Sequence, residues 1–148
     1  MLLSRSVLLL RLSVLGLLTA APTAPLVAQE AQSRPNLNQS LDRTTEDGMY
    51  RVRIRSAVTP VPMNAAHSWE VQVTDAEGKP VSGAVLTASG GMPERKQALP
   101  AVAHAAAAFG AGNYVIEGIK FSTGGWWELK LVIEAADGVD SVTFNIVL

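Results

Sequence analysis

From Trp126 to Glu134 apolar and polar side chains take turns: Trp127, Leu129, Leu131 and Ile133 fall on one face, Glu128, Lys130 and Glu134 on the other. A period of two marks a half-buried β-strand. Asp137-Gly138 supplies a hairpin-type turn, after which Val142, Phe144, Ile146 and Leu148 alternate with Ser141, Thr143 and Asn145. The last part of the chain therefore predicts a β-hairpin. Upstream, Tyr50, Val52 and Ile54 alternate with Arg51, Arg53 and Arg55, and Trp69, Val71 and Val73 with Glu70, Gln72 and Thr74. Both segments predict amphipathic strands. Asp75 to Pro80 reads as a turn, Ala84 to Ala88 as a small-residue strand that ends at Gly90-Gly91, and Tyr114 and Ile116 as the opening of another strand. Ala101 to Phe109 has helical propensity in its alanines but is too short for a stable lone helix, so it reads as irregular or as an edge strand.

Six or seven short strands near ten-residue spacing, with no convincing amphipathic helix, predict an all-β fold: an immunoglobulin-like antiparallel β-sandwich, with a barrel as the alternative. A length of 148 residues and a hydrophobic fraction of 48% suit one domain with one core.

The N-terminus has a different character. Met1 to Ala28 carries Arg5 and Arg11, a short apolar run from Leu12 to Ala21, and no acidic residue. This is the pattern of a secretory signal peptide. The alternative is an uncleaved inner-membrane anchor, since Val7 to Ala28 approaches a bilayer-spanning length, but Arg11, Pro22 and Pro25 interrupt it. Gln29 to Gly48 is polar and reads as a flexible leader. The expected organisation is thus a signal peptide at 1–28, a leader at 29–48 and a β-sandwich domain at 49–148, in an exported, periplasmic protein.

Charge and composition narrow the chemistry. No cysteine is present, which removes disulfides, zinc-thiolate sites and nucleophilic thiols. From Gln29 onward ten Lys and Arg face thirteen Asp and Glu, a formal charge of −3, so no nucleic-acid partner is expected. Arg51, Arg53 and Arg55 share one strand face and read as a solvated surface. With only His67 and His104 and no Gly-x-Ser-x-Gly elbow, no nucleophile, base and orienting group can be named together. Glu70, Glu117, Glu128 and Glu134 fall on solvent faces. The protein is expected not to be an enzyme, with no catalytic, cofactor-binding or metal-binding residue assigned. Met63, His67 and Met92 lie near strand ends or loops and are of types that suit copper(I). However, His67 has the parity of Trp69 and Val71, which predicts a hydrogen-bonded histidine at the core edge, and the methionines suit packing. Trp126 and Trp127 are adjacent and point to opposite faces, placing Trp126 on the polar one.

The order His67-Ser68-Trp69, Gly78-Lys79-Pro80-Val81, Gly90-Gly91-Met92-Pro93, Leu99-Pro100, Gly112-Asn113-Tyr114, Gly118-Ile119-Lys120-Phe121 and Gly125-Trp126-Trp127-Glu128-Leu129 resembles the YtkA-like family, which is related to FixH. The resemblance runs from about Ala66 to Leu148. It implies a small exported or membrane-anchored immunoglobulin-like domain without enzymatic activity, in a group associated with copper handling and with cytochrome oxidase assembly. In many relatives a histidine-rich segment follows the Met-Pro pair, whereas here Met92-Pro93 leads into Glu94, Arg95, Lys96 and Gln97. Relatives also often carry a histidine and a methionine after the position of Phe121, where this chain has Ser122, Thr123 and Gly124. Of the positions the resemblance carries over, His67 and Met92 stay. The expected function is that of a non-enzymatic periplasmic accessory or binding domain whose partner is another envelope protein, with no cofactor and membrane contact only through the signal segment. The alternative is a copper-binding metallochaperone using His67 and Met92.

Overall fold

The alternating segments become the strands of two packed sheets. A computed structural model describes residues 36–99, the strand backbone at 103–106 and residues 110–148, so the expected signal peptide at 1–28 and the first seven residues of the expected leader lie outside the described residues. The strands in chain order are β1 (Asp42–Thr44), β2 (Tyr50–Ser56), β3 (His67–Asp75), β4 (Val85–Met92), β5 (Gln97–Ala98), β6 (Ala103–Ala106), β7 (Asn113–Ile119), β8 (Trp126–Ala135) and β9 (Gly138–Val147). A single 3₁₀ turn, Pro93–Arg95, separates β4 from β5.

One sheet runs β1-β2-β3-β7 and the other β4-β8-β9 with β5 beside β4, every pair antiparallel. The all-β, immunoglobulin-like sandwich expected from periodicity is the observed fold. The C-terminal hairpin closes as predicted, in the register Trp127↔Ile146, Leu129↔Phe144 and Leu131↔Val142. These inward pairs, with Val52, Ile54, Trp69, Val71 and Ile116 from the facing sheet, form a core in which Trp127, Leu129, Leu131 and Phe144 are fully buried. Each such side chain contributes roughly 1.5 to 3 kcal/mol through removal from water.

Three expectations need correction. The polar segment assigned to a flexible leader at 29–48 includes β1, which pairs with β2 through Asp42↔Arg53 and Thr44↔Arg51. Its place depends on anchors distant in sequence: the Arg43 guanidinium donates to the Thr143 carbonyl, and the Glu46 amide donates to that of Ser141 at 2.8 Å. The strand beginning near Ala84 does not stop at Gly90-Gly91 but runs on to Met92. Within the stretch read as irregular or as an edge strand, residues 103–106 form a strand paired on both sides. This strand, β6, pairs with β7 at Ala105↔Ile116 and with β4 at Ala88↔Ala103, joining the two sheets along one side. Pairing on both sides uses backbone groups only, and a run of alanines has no alternation to announce it.

Tyr114 locks the β3–β4 connection. Its hydroxyl donates to the Val81 carbonyl at 2.6 Å and accepts from the Ala84 amide at 3.0 Å. In Tyr114→Phe both backbone groups lose a partner, and chemical denaturation is expected to show a loss of about 1 to 2 kcal/mol. An unchanged midpoint would mean that water replaces the hydroxyl.

Candidate functional site

The residues singled out for chemistry gather at the end of the sandwich where β2 passes to β3 and β7 to β8. His67 opens β3 and is 7% exposed. Its Nε2 accepts from the Trp69 indole N–H at 3.0 Å, and its Nδ1 lies 3.1 Å from the Ala65 carbonyl oxygen. A carbonyl can only accept and an indole can only donate, so the two contacts together define the neutral imidazole with its proton on Nδ1. Both nitrogens serve the fold, which is the core-edge histidine that strand parity predicts. Phe121 stands 5.6 Å from the imidazole and 5.2 Å from the Trp127 ring, making a continuous aromatic floor.

The two methionines occupy different places. Met92 is 2% exposed and belongs to the core, whereas Met63 is 54% exposed and forms a bridge with Phe121. Among the described residues no three histidine, aspartate or glutamate side chains gather as a metal-binding group. Where relatives often carry ligands, the 3₁₀ turn and the β7–β8 connection are neighbours in space. Gln97 Nε2 donates to Ser122 Oγ at 2.5 Å, and Arg95 reaches Thr123 Oγ1 at 3.5 Å. Amide, guanidinium and hydroxyl groups thus close by hydrogen bonding the place that the resemblance gives to metal ligands. His67→Ala leaves the buried indole N–H of Trp69 without an acceptor, and a loss of about 1 to 3 kcal/mol is expected in denaturant titration, with altered tryptophan emission. Wild-type stability in that variant would show that the pair is dispensable.

The arginine row is exposed, as expected, but it is also paired. Asp42 binds Arg51 Nε at 2.8 Å and Arg53 Nη2 at 2.7 Å, while Arg55 pairs with Glu70. The side-chain hydrogen bonds from Arg51 and then Arg53 hold the Asp42 carboxyl below the ordinary carboxylate range. Beside the row runs a shallow groove of about 600 Å³ lined by Arg53, Arg55, Glu70, Gln72 and Asn113. On the opposite sheet a groove of about 480 Å³ is lined by Ser89, Gly90, Gly91, Lys96, Glu128 and Lys130. Trp126 is half-buried on that outer face, its indole donating to Asn145 Oδ1 at 3.0 Å. His104 lies in strand β6 and pairs there with Thr87.

Asp140, which sequence reasoning passed over, is the one buried carboxylate among the described residues, at 5% exposure. It accepts from the amides of Asp47 and Met49 at 3.2 Å and of Ser141 at 2.7 Å. Burial pushes its pKa up, but hydrogen bonds from the Thr45 side chain and from those amides outweigh burial and hold it below the ordinary value. The signal was present in the sequence, because Asp140 has the inward parity of Val142 and Phe144.

The family model described as YtkA-like matches residues 45–132, more than half of the chain. The protein belongs to the YtkA-like family. The match contains His67, Met92 and both connections at their end of the sandwich, and it agrees with the resemblance carried by the motif order. Among solved structures, this YtkA-like chain is similar to a DUF4426 family protein from Pseudomonas aeruginosa PAO1, with a TM-score of 0.52 and 19% identity over 68% of this chain and 91% of that one. That likeness is one of fold. No curated protein matches the YtkA-like sequence. Among its described residues no helix is long and apolar enough to cross a membrane.

Proposed function

We propose that this YtkA-like protein is a non-enzymatic, exported accessory domain that works by binding another envelope protein, in the setting of cytochrome oxidase assembly or metal handling to which its FixH kinship points. The observation that carries this reading is the Gln97 to Ser122 hydrogen bond, together with the double engagement of His67. The scaffold is kept while the groups that would supply ligand chemistry are spent on internal bonds, leaving the sheet faces and loop ends as the working parts. The apolar run and early arginines of residues 1–28 support export to the periplasm.

Photo-crosslinking probes at Arg53, Lys130 and Met63 of the full chain, expressed in its own host, test the reading. A discrete adduct with one envelope protein from one of these positions is expected. Adducts from none of them, or the bulk of the protein in the cytoplasmic fraction, would overturn it. Anaerobic copper(I) titration separates the metallochaperone reading. Stoichiometric binding that is lost in both His67→Ala and Met92→Leu would establish that alternative.

A further inference from the structure

The two ends of the sandwich differ in charge. At one end lie the β1–β2 turn with Glu46 and Asp47, the β3–β4 connection with Asp75, Glu77 and Lys79, and the β8–β9 turn with Asp137. At the other end, residues 57–66 between β2 and β3 carry no charge, and residues 120–125 between β7 and β8 carry Lys120 alone. These two connections, neither of which has an acidic residue, are tied together. The Asn64 amide donates to the Phe121 carbonyl at 2.7 Å, and Gly125 and Leu148 exchange amide–carbonyl bonds of 2.8 and 3.1 Å. Val58, Met63 and Val147, exposed at 47%, 54% and 51%, are thereby presented at one end, with Pro60, Ala65 and Ala66 also exposed. Trp126 is the cross-strand partner of Val147 on the same outer face. Arg95 and Lys96 at the 3₁₀ turn and Lys120 at the start of the β7–β8 connection lie at this same end, with Glu94 as the acidic member.

The described chain also enters the fold on this side. The Asn38 carbonyl accepts from Asn145 Nδ2 at 2.8 Å, and Asn145 in turn holds the Trp126 indole. Upstream of that point the sequence carries the short apolar run Leu12 to Ala21.

We propose that this end of the domain faces a phospholipid bilayer, with Val58, Met63 and Val147 in the interfacial layer, Trp126 at headgroup level and Arg95, Lys96 and Lys120 against anionic headgroups. Aliphatic tips and an indole with one polar edge favour that layer, and basic groups within a Debye length of it are attracted to its negative charge. The acidic end then points away, where repulsion is least. A bilayer, rather than a protein surface, is the occupant because the end that carries the aliphatic tips and the indole also carries Arg95, Lys96 and Lys120 against one acidic residue, Glu94, a charge that complements anionic headgroups. The inference rests on the export reading, which cell fractionation tests on its own.

The protein has no cysteine, so single thiols can be labelled without background. Full-length Met63→Cys and Glu77→Cys, each carrying an environment-sensitive fluorophore, are reconstituted with vesicles of phosphatidylethanolamine containing a minor share of phosphatidylglycerol and nitroxide-bearing lipid. Quenching by the nitroxide lipid is expected to be several-fold greater at position 63 than at 77. Adding the surface changes Val58→Glu and Val147→Glu to Met63→Cys is expected to bring its quenching down to the level at 77, with an unaltered circular dichroism spectrum. Equal quenching at 63 and 77, including none at either, overturns the proposal. So does a label at 63 that is shielded from a soluble quencher without being quenched by lipid, because that result identifies a protein partner or a second copy. These measurements use vesicles and purified protein, so their failure leaves the export reading untouched.

Discussion

Asp140→Ala is expected to lower stability by about 3 kcal/mol, as follows when hydrogen bonds to a charged group are lost and buried N–H donors are left unpaired. For a domain of this size that corresponds to a fall of roughly 10 °C in Tm. The carboxylate lies close beneath the surface yet is occluded by the 45–49 turn, whose amides it accepts together with that of Ser141. Removing it leaves buried N–H groups without an acceptor and loosens the turn that holds β1 against β9. Tyr50, whose hydroxyl donates to the Gly138 carbonyl at 2.9 Å, braces the same corner.

The pH dependence follows from the sign of the shift. The folded carboxyl titrates below the ordinary value of 3.8, so the unfolded chain takes up its proton first as pH falls. The stabilisation is complete above 3.8 and is lost as pH drops through the lower, folded value. Asp140→Asn, which cannot ionise, is expected to be less stable at neutral pH and to have a flatter acid limb in thermal melts taken from neutral to strongly acid conditions. Parallel acid limbs for the two proteins would assign the acid sensitivity to other carboxylates.

Gly90→Ala is expected to be the more damaging change, costing more than about 3 kcal/mol or preventing a folded product, as overpacking against backbone does when neighbours cannot yield. A Cβ at Gly90 would stand 2.0 Å from the Glu128 carbonyl oxygen, and one at Gly91 would stand 2.3 Å from that of Gln97. Both obstacles are backbone, so relief requires β4 to move away from β8 or β5, breaking pairs such as Gly90↔Leu129 and Gly91↔Ala98. Ser89→Ala, on the same strand and with its side chain on the outer face, is expected to behave like wild type. The two variants are compared by circular dichroism and thermal unfolding, and a stable, cooperatively melting Gly90→Ala protein would show that the sheet can open there at little cost.

This contact explains why the strand reading stopped too early. Two consecutive glycines ordinarily punctuate a chain, and only the partner strands reveal that here they are required for close approach. The same blindness applies to β1. Asp42, Arg43 and Thr44 have no apolar member to bury, so nothing in the segment marks a strand, and its pairing depends on Arg51, Arg53 and Thr143. The candidate site divides in a similar way. Parity placed His67 at the core edge and Trp127 inside, and the structure agrees, but the identity of the histidine's partners follows from Ala65 and from a ring two residues along the strand. That Gln97 meets Ser122 could not be read at all, since twenty-five residues separate them. Asp140 was legible in principle, as a carboxylate at an inward position, but an acid beside an Asp-Gly turn is ordinary enough to hide.

What the amino-acid order determined alone was the succession of short two-faced segments, the hairpin at the C-terminus, the family, and the absence of thiol chemistry. Each depends on relations between near neighbours: side-chain period, turn residues, motif order or composition. What tertiary structure alone decided was which backbone groups meet at a distance: β6 joining the sheets, β1 anchored to β9, amides converging on Asp140, and two connections without acidic residues assembling one apolar end. Those depend on hydrogen bonds and steric approach between segments far apart in sequence, whose free energy exists only after the chain has closed.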